Sequence, residues 1–203
     1  MDTLIFSLVV LLFSVIIHEV AHGSIALALG DTTARDAGRL SLNPLKHLDP
    51  FGSVILPILL IFLTGGQGPI IGWAKPVPIN PYNFSDKKWG TLKVSIAGPL
   101  TNFLIGIFFA ILIRFLNLPL SLLIAFSFIA IYNFILGIFN LIPLPPLDGS
   151  HILFSFLSER WSNIKIIIQQ YGLLILILII TFGSGWIFSL AGFFYHLFSG
   201  KVF

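Results

Sequence analysis

The sequence contains no cysteine and is poor in charge, since only 9% of its 203 residues are Asp, Glu, Lys or Arg. The absence of cysteine excludes disulfide bonds and thiolate metal sites, so any metal must be held by His, Asp or Glu. Soluble domains carry about 25% charged residues, and a chain this short of charge cannot cover its surface in water. Because 57% of the residues are hydrophobic, the composition predicts a membrane protein, and the length suits one domain over residues 1–203.

Basic runs are also missing. The net charge is +3, and the Lys and Arg residues are scattered between apolar stretches instead of being gathered in one segment. Scattered positive charges are typical of the loops that orient a protein in a membrane. The expected partners therefore include the lipid bilayer and exclude nucleic acid.

Several apolar stretches predict helices, since about 20 apolar residues span a bilayer. They lie at 3–29, 92–115, 120–142, 166–182 and 186–198. Residues 149–165 predict a further short amphipathic piece. The expected fold is an all-α polytopic membrane protein with about five to six apolar helices.

A further apolar run at 51–63 is too short to cross a bilayer as a helix. Lys and Arg residues flank it on both sides, and such residues collect on the cytosolic side of a membrane. We therefore predict that 51–72 forms a re-entrant or extended hairpin between the first and second long helices, with both ends in the cytosol. Prolines at 76, 78 and 81 predict extended backbone directly after it.

Three ionisable residues interrupt the first apolar stretch, in the order His18-Glu19-Val20-Ala21-His22. On a helix, His18 and His22 lie one turn apart on one face, so both imidazoles can reach one zinc ion. Glu19 points about 100° away around the helix and can act on a water at the metal without being a ligand. The alternative is a hydrogen-bonded polar patch between helices. A cost of roughly 2.5–3.5 kcal/mol for each charge at a helix centre favours the functional interpretation.

A catalytic zinc takes three protein ligands and keeps one open position, so a third ligand must come from elsewhere in the chain. The candidates are Asp148, Glu159, His47, His151 and His196. Asp148 is the best of them, because the prolines before it break the helix and can return the chain to the inner end of the bundle. The alternative role for Asp148 is to cap the helix that follows it.

Asparagine and glycine recur at a spacing of three or four on two predicted helices. Gly98, Asn102 and Gly106 share one helix face, and Asn133 shares another with Gly137 and Asn140. Small residues let helices approach, and asparagine then bonds across the interface. Asn102 and Asn140 are also candidates for donating hydrogen bonds to a peptide carbonyl or its oxyanion. For Asn133 the interhelical role is the favoured one.

Three stretches together resemble the site-2 protease family of intramembrane zinc metalloproteases. They are His18 to His22, then Ala97-Gly98-Pro99-Leu100-Thr101-Asn102, then Asn140 through Pro145-Pro146-Leu147-Asp148-Gly149. The order of the three stretches is that of the family, and they cover about residues 10–155. Two further stretches, at 43–52 and 72–77, resemble a compact prokaryotic branch of the family without PDZ or CBS domains.

The resemblance implies an endopeptidase that hydrolyses peptide bonds of membrane proteins with a zinc-activated water. It implies one zinc per chain held by His18, His22 and Asp148, with Glu19 as the general base. Asn102 and Asn140 match positions assigned to the substrate cleft. The expected location is multi-pass in a prokaryotic cell membrane, with the active site open to the cytosol.

Two rival functions remain, and homo-oligomerisation is left open. A membrane zinc-binding or transport protein would need ligands along a path, whereas the sequence offers two strong clusters and such a protein has no role for Glu19. A catalytically inactive scaffold would not need His18, Glu19, His22 and Asp148 together.

Overall fold

The computed structural model describes residues 2–55, 58–59, 62–63 and 75–201. Within these ranges the chain forms seven α-helices and no β-strand. The helices are α1 (Asp2–Ala28), α2 (Thr33–Asp36), α3 (Gly90–Phe115), α4 (Leu120–Asn140), α5 (Asp148–Phe156), α6 (Ser162–Gly183) and α7 (Gly185–Ser199). The described chain also contains a π-helical turn at Pro50–Ile55 and 3-10 turns at Pro44–Lys46, Pro81–Asn83 and Glu159–Trp161.

Four of these helices are long and apolar enough to cross a bilayer: α1 over Ile5–Ala28, α3, α4 and α6. Their outward faces carry many exposed large apolar side chains, which only a lipid environment accommodates at this density. Helix α7 is apolar but has only 15 residues. The chain is an all-α polytopic membrane protein, as its sequence predicts.

The helix ends follow from local chemistry. Helix α1 stops at Ala28, and Gly30 then takes a positive φ of 99°, which glycine adopts without strain. Helix α4 starts after Pro119, whose fixed φ suits a helix start. It ends at Asn140, two residues before the predicted end, because the backbone turns ahead of Pro143.

Small residues bring α3 and α4 into close contact. A Cβ added at Gly106 would lie 2.8 Å from the ring of Phe134, and one at Gly137 would lie 2.8 Å from Phe103. Phe134 is fully buried and lies in an apolar cluster that also includes Tyr195 of α7. The close-approach role predicted for these glycines is therefore confirmed.

A segment that is extended at 75–80 and ends in the 3-10 turn at Pro81–Asn83 crosses beside α1, and we call it the proline segment (residues 75–84). The amide of Lys75 donates to the His47 carbonyl at 2.9 Å, and Arg39 Nη2 donates to the Lys75 carbonyl at 2.5 Å. Further along, Asn80 N and Asn83 Nδ2 donate to the carboxylate of Asp31 at 2.7 and 2.8 Å. These bonds fix the extended backbone that the prolines predict at 75–80, whereas at Pro81 the prediction is wrong because a 3-10 turn begins there.

The predicted hairpin at 51–72 falls mostly outside the described residues. Of that range the structure describes 51–55, 58–59 and 62–63. The re-entrant path therefore stays a prediction.

Candidate metal centre

Helix α1 carries His18 and His22 on one face. Their Nε2 atoms lie 3.0 Å apart, and both side chains are buried although the helix around them is apolar. One helical turn separates the two residues, so the shared direction follows from the i, i+4 spacing.

Asp148 lies far from both histidines in the sequence. It is the first residue of α5, and its Oδ2 lies 3.1 Å from His18 Nε2 and 3.2 Å from His22 Nε2. The helix cap is Leu147, without a side-chain cap bond, so the capping alternative for Asp148 is wrong. The backbone turn is tight at Gly149, where a Cβ would lie 2.3 Å from the Ile142 carbonyl oxygen.

The Nδ1 atoms of His18 and His22 both face hydrogen-bond acceptors. His22 Nδ1 donates to the carbonyl of Val94 at 2.7 Å, and His18 Nδ1 lies 2.5 Å from the amide oxygen of Asn102. A neutral imidazole protonated at Nδ1 presents a lone pair at Nε2. Both histidines therefore direct lone pairs toward the oxygen of Asp148.

When both imidazoles are neutral and protonated at Nδ1, three acceptor atoms converge. Asp148 Oδ2 is buried and has no hydrogen-bond donor among the described residues. The three ligand atoms lie within 4.8 Å of one another, which fits a single cation. Two imidazoles and a carboxylate, with a free side toward a cavity, are the donor set of a catalytic zinc site. We call His18, His22 and Asp148 the metal centre.

A cavity of about 320 Å³ opens beside the metal centre and is also lined by Glu19 and His151. Glu19 is half-buried, and its Oε2 accepts the backbone N–H of Val77 at 2.8 Å. Glu19 is thus held at the cavity wall by the proline segment, without a bond to the ligand histidines among the described contacts.

Comparison with known proteins places this site in a family. The sequence profile described as "Peptidase family M50" matches residues 118–179, which include Asp148. The "Putative zinc metalloprotease YwhC" of Bacillus subtilis strain 168 is 37% identical over 183 residues, covering 85% of this chain and 79% of that protein. The chain belongs to peptidase family M50.

Two further relatives of this M50 peptidase agree with that placement. The "Putative zinc metalloprotease Rip2" of Mycolicibacterium smegmatis is 30% identical over 197 residues, covering 93% of this chain and 72% of that protein. The "Zinc metalloprotease MJ0392" of Methanocaldococcus jannaschii is 37% identical over 91 residues, 44% of this chain and 27% of that protein. No solved structure matches the chain. Family membership and the donor set together make the chain a zinc metalloprotease.

Asn102 and Asn140, the two candidate substrate-binding residues, have different surroundings in the structure. Asn102 is fully buried and bonded to His18 and to Asn133. Asn140 ends α4, and its amide donates to the carbonyl of Leu136 within the same helix at 3.0 Å. Among the described contacts, Asn140 is not joined to the metal centre.

The other third-ligand candidates of the M50 peptidase lie apart from the three converging atoms. His47 Nε2 lies 2.7 Å from the Ser41 carbonyl, and His196 Nδ1 lies 3.2 Å from the Lys201 carbonyl. His151 lines the cavity, and the side chain of Glu159 lies outside the described residues. Asp148 alone of the described candidates joins the histidine pair.

Several contacts of the metal centre could not be predicted from the sequence. The Val94 carbonyl behind His22 and the Val77 amide on Glu19 are backbone groups, which no side-chain motif reveals. Gly98 lies against both imidazoles, since a Cβ there would be 2.4 Å from His22 Nε2 and 2.5 Å from His18 Nε2. The spacing of Gly98 predicted a helix contact without saying what it contacts.

Proposed function

We propose that this metalloprotease is an intramembrane endopeptidase that cuts membrane proteins inside or at the edge of the bilayer. The observation that carries the proposal is the convergence of His18, His22 and Asp148 beside a cavity at a helix that is apolar enough to span the bilayer. His18 lies ten residues before the end of α1, about 15 Å along the helix axis. That depth supports a site below the membrane surface.

In the proposed reaction, His18, His22 and Asp148 hold one zinc ion per chain. Zinc in such a site supplies Lewis-acid activation of water at neutral pH. Glu19 takes the proton of the attacking water and passes it to the departing amine, so that one carboxylate serves both proton transfers. Glu19 lines the same cavity as His22 and Asp148, which supports this role.

The substrate must present an extended peptide to this cavity. Backbone groups of a transmembrane helix are hydrogen-bonded to each other, so local unwinding has to precede attack. We propose that the proline segment supplies an edge for the unwound peptide, since Val77 and Ile79 line the cavity. Asn102 and Asn140 stay proposed as substrate-binding residues, although the amide of Asn102 already has two protein partners.

We also propose how the enzyme is arranged in the cell. Its residues 1–203 form one protease domain in a prokaryotic cell membrane, with the cavity open to the cytosol. Lys and Arg residues near the inner end of α1 and in the proline segment support this orientation. The bacterial and archaeal origins of the relatives support the membrane type.

The proposed roles predict a separation of metal binding from cleavage. Glu19→Gln should keep its zinc and cleave about 10²–10⁴-fold more slowly, because glutamine retains the shape but cannot accept the proton of water. Asp148→Ala should lose zinc, while His196→Ala, which removes an imidazole far along the chain in α7, should keep it. Metal analysis of the purified variants and cleavage of a detergent-solubilised single-pass substrate measure both effects.

Two results would contradict the assignment. Near-normal cleavage by Glu19→Gln rejects the general-base role, whatever its zinc content. Full zinc retention by Asp148→Ala rejects the third ligand and makes His151, which lines the same cavity, the next candidate. A chain that binds zinc through the three residues but cleaves no substrate favours the transport or storage alternative.

A further inference from the structure

A row of buried polar side chains runs behind His18 and crosses three helices. The amide nitrogen of Asn102 in α3 donates to Asn133 Oδ1 in α4 at 2.9 Å. The amide nitrogen of Asn133 in turn donates to Ser14 Oγ in α1 at 2.9 Å. All three residues are buried, and the proposed reaction leaves Asn133 and Ser14 without a role.

The backbone carbonyl of Ile129 determines how the side-chain amides in this row are oriented. Asn133 Nδ2 also donates to the carbonyl oxygen of Ile129 at 2.8 Å. A carbonyl oxygen only accepts, so the amide nitrogen of Asn133 must lie at that end. Its oxygen then faces α3, and Asn102 must present its nitrogen to Asn133 and its oxygen to His18.

The orientation of Asn102 decides which imidazole nitrogen of His18 carries the proton. Facing an amide oxygen, His18 Nδ1 must donate, which leaves the Nε2 lone pair directed at the metal centre. If the amide of Asn102 turned over, its N–H₂ would face His18 Nδ1. The proton would then move to Nε2, where it blocks metal binding.

We propose that Asn133 is a positioning residue that fixes the metal-binding tautomer of His18 through Asn102. The proposal rests on the metal centre assigned under the proposed function. Asn102 is nearly symmetric in shape, so without Asn133 nothing among the described contacts holds its amide in one orientation. Partners behind a metal-binding histidine typically change metal affinity by 10–100-fold.

Ordinary interhelical packing is the competing explanation, and α4 offers a matched control. Ser127 is buried in the same helix and bonds Tyr195 Oη of α7 at 2.7 Å. Ser127→Ala removes an interhelical hydrogen bond without touching the row behind His18. Ser14→Ala is a second control, because the Ile129 carbonyl still fixes Asn133 when Ser14 is gone.

The test measures zinc affinity by chelator competition and the visible spectrum of the cobalt-substituted protein. Asn133→Ala should bind zinc about tenfold or more weakly and shift the cobalt spectrum. Ser127→Ala and Ser14→Ala should keep the affinity and spectrum of the unmodified protein. Unchanged zinc affinity and an unchanged cobalt spectrum in Asn133→Ala would overturn the proposal and leave Asn133 as packing alone.

A rescue experiment separates tautomer control from damage to the fold. In Asn102→Asp both carboxylate oxygens accept, so His18 keeps its proton at Nδ1 whatever lies behind. Asn133 Oδ1 would face the new carboxylate as one acceptor against another. Adding Asn133→Ala to Asn102→Asp should therefore leave zinc affinity equal or higher, against a loss of about tenfold or more in the native background. A tenfold loss in both backgrounds overturns the proposal.

The tautomer of His18 can also be measured in the unmodified protein, so this test does not depend on the folding of a variant. Nitrogen-15 NMR of the metal-free chain, labelled in its five histidines, should show His18 protonated at Nδ1 when the imidazole is neutral. Protonation at Nε2 overturns the proposal. The proposed function fails by a different result, namely zinc retention in Asp148→Ala, so the two failures are distinguishable.

Discussion

At the scale of single residues, Gly98 governs how closely α3 approaches the metal centre. A Cβ at this position would lie 2.4 Å from His22 Nε2 and 2.5 Å from two ring atoms of His18. No real Cβ makes such contacts, so either the imidazoles or α3 must move. A hydrogen is thus the largest substituent that this position accepts.

Gly98→Ala should therefore weaken zinc binding by about tenfold or more, a loss like that from removing a partner behind a ligand. Gly106→Ala is the matched control, since Gly106 lies in the same helix as Gly98. A Cβ at Gly106 would lie 2.8 Å from the Phe134 ring of α4. The control should cost about 1–3 kcal/mol of stability by overpacking but keep zinc affinity. Zinc titration and thermal unfolding of both variants distinguish the two effects. Normal zinc affinity in Gly98→Ala would show that α3 moves and that the imidazoles of His18 and His22 keep their positions.

The residues that could be predicted from the sequence are those with a local pattern. His18, Glu19 and His22 follow from i, i+4 spacing on one helix, and Asp148 is favoured by the prolines before it and by the family resemblance. The bond from His18 to Asn102 joins residues 84 positions apart, and it depends on how α1 and α3 pack. Periodicity within one helix carries no information about that packing, so the sequence predicts an interhelical or a substrate role for Asn102 but not its contact with His18.

At the scale of elements, Asp31 fastens the proline segment to the end of α1. Asp31 is fully buried. Burial alone would raise the pKa of its carboxyl, but hydrogen bonds from Thr33, Asn80 and Asn83 lower the pKa below its ordinary value. The folded pKa is therefore lower than the unfolded one. The stabilisation is complete above the unfolded value of about 3.9 and is lost as the pH falls through the folded value.

Asp31→Asn should loosen the proline segment by about 2 kcal/mol, because charged acceptor bonds become neutral and an N–H₂ faces other donors. In the unmodified protein, hydrogen exchange at the Asn80 amide should rise as the pH falls below about 4, beyond the change in intrinsic exchange rate. Asp36→Asn alters an exposed carboxylate and serves as the control. Equal exchange at the Asn80 amide in Asp31→Asn and in the unmodified protein would contradict this role.

Helices could be predicted better than the pieces between them. The long apolar stretches gave α1, α3 and α4 to within two residues at each end, since length and hydropathy determine such helices. The stretch predicted as one amphipathic piece at 149–165 divides instead. Helix α5 ends at Phe156, and α6 begins at Ser162. No proline or glycine marks that break, so local sequence gave no signal for it.

At the scale of the whole molecule, the charge pattern predicts which loops face the cytosol. Single cysteines at Ser41, Ser85 and Asn117 test it without background, because the chain has no native cysteine. A membrane-impermeant thiol reagent added to intact cells should label only Asn117→Cys, since Lys and Arg near the other two positions place them inside. Labelling after cell lysis provides the control for reactivity. Ser41→Cys and Ser85→Cys on opposite sides would make 51–72 a true crossing and redraw access to the metal centre.

The proposed zinc ligands come from two places far apart along the chain, two from α1 and the third from α5. Most of the sequence lies between His22 and Asp148, so a bound ion closes a very long covalent loop. Closing such a loop removes chain entropy from the unfolded ensemble, as a long-range disulfide does in proteins that have cysteine. Zinc binding is then also folding free energy, and its size grows with free zinc. The concentration of free zinc thereby affects the folding stability of the enzyme as well as its activity.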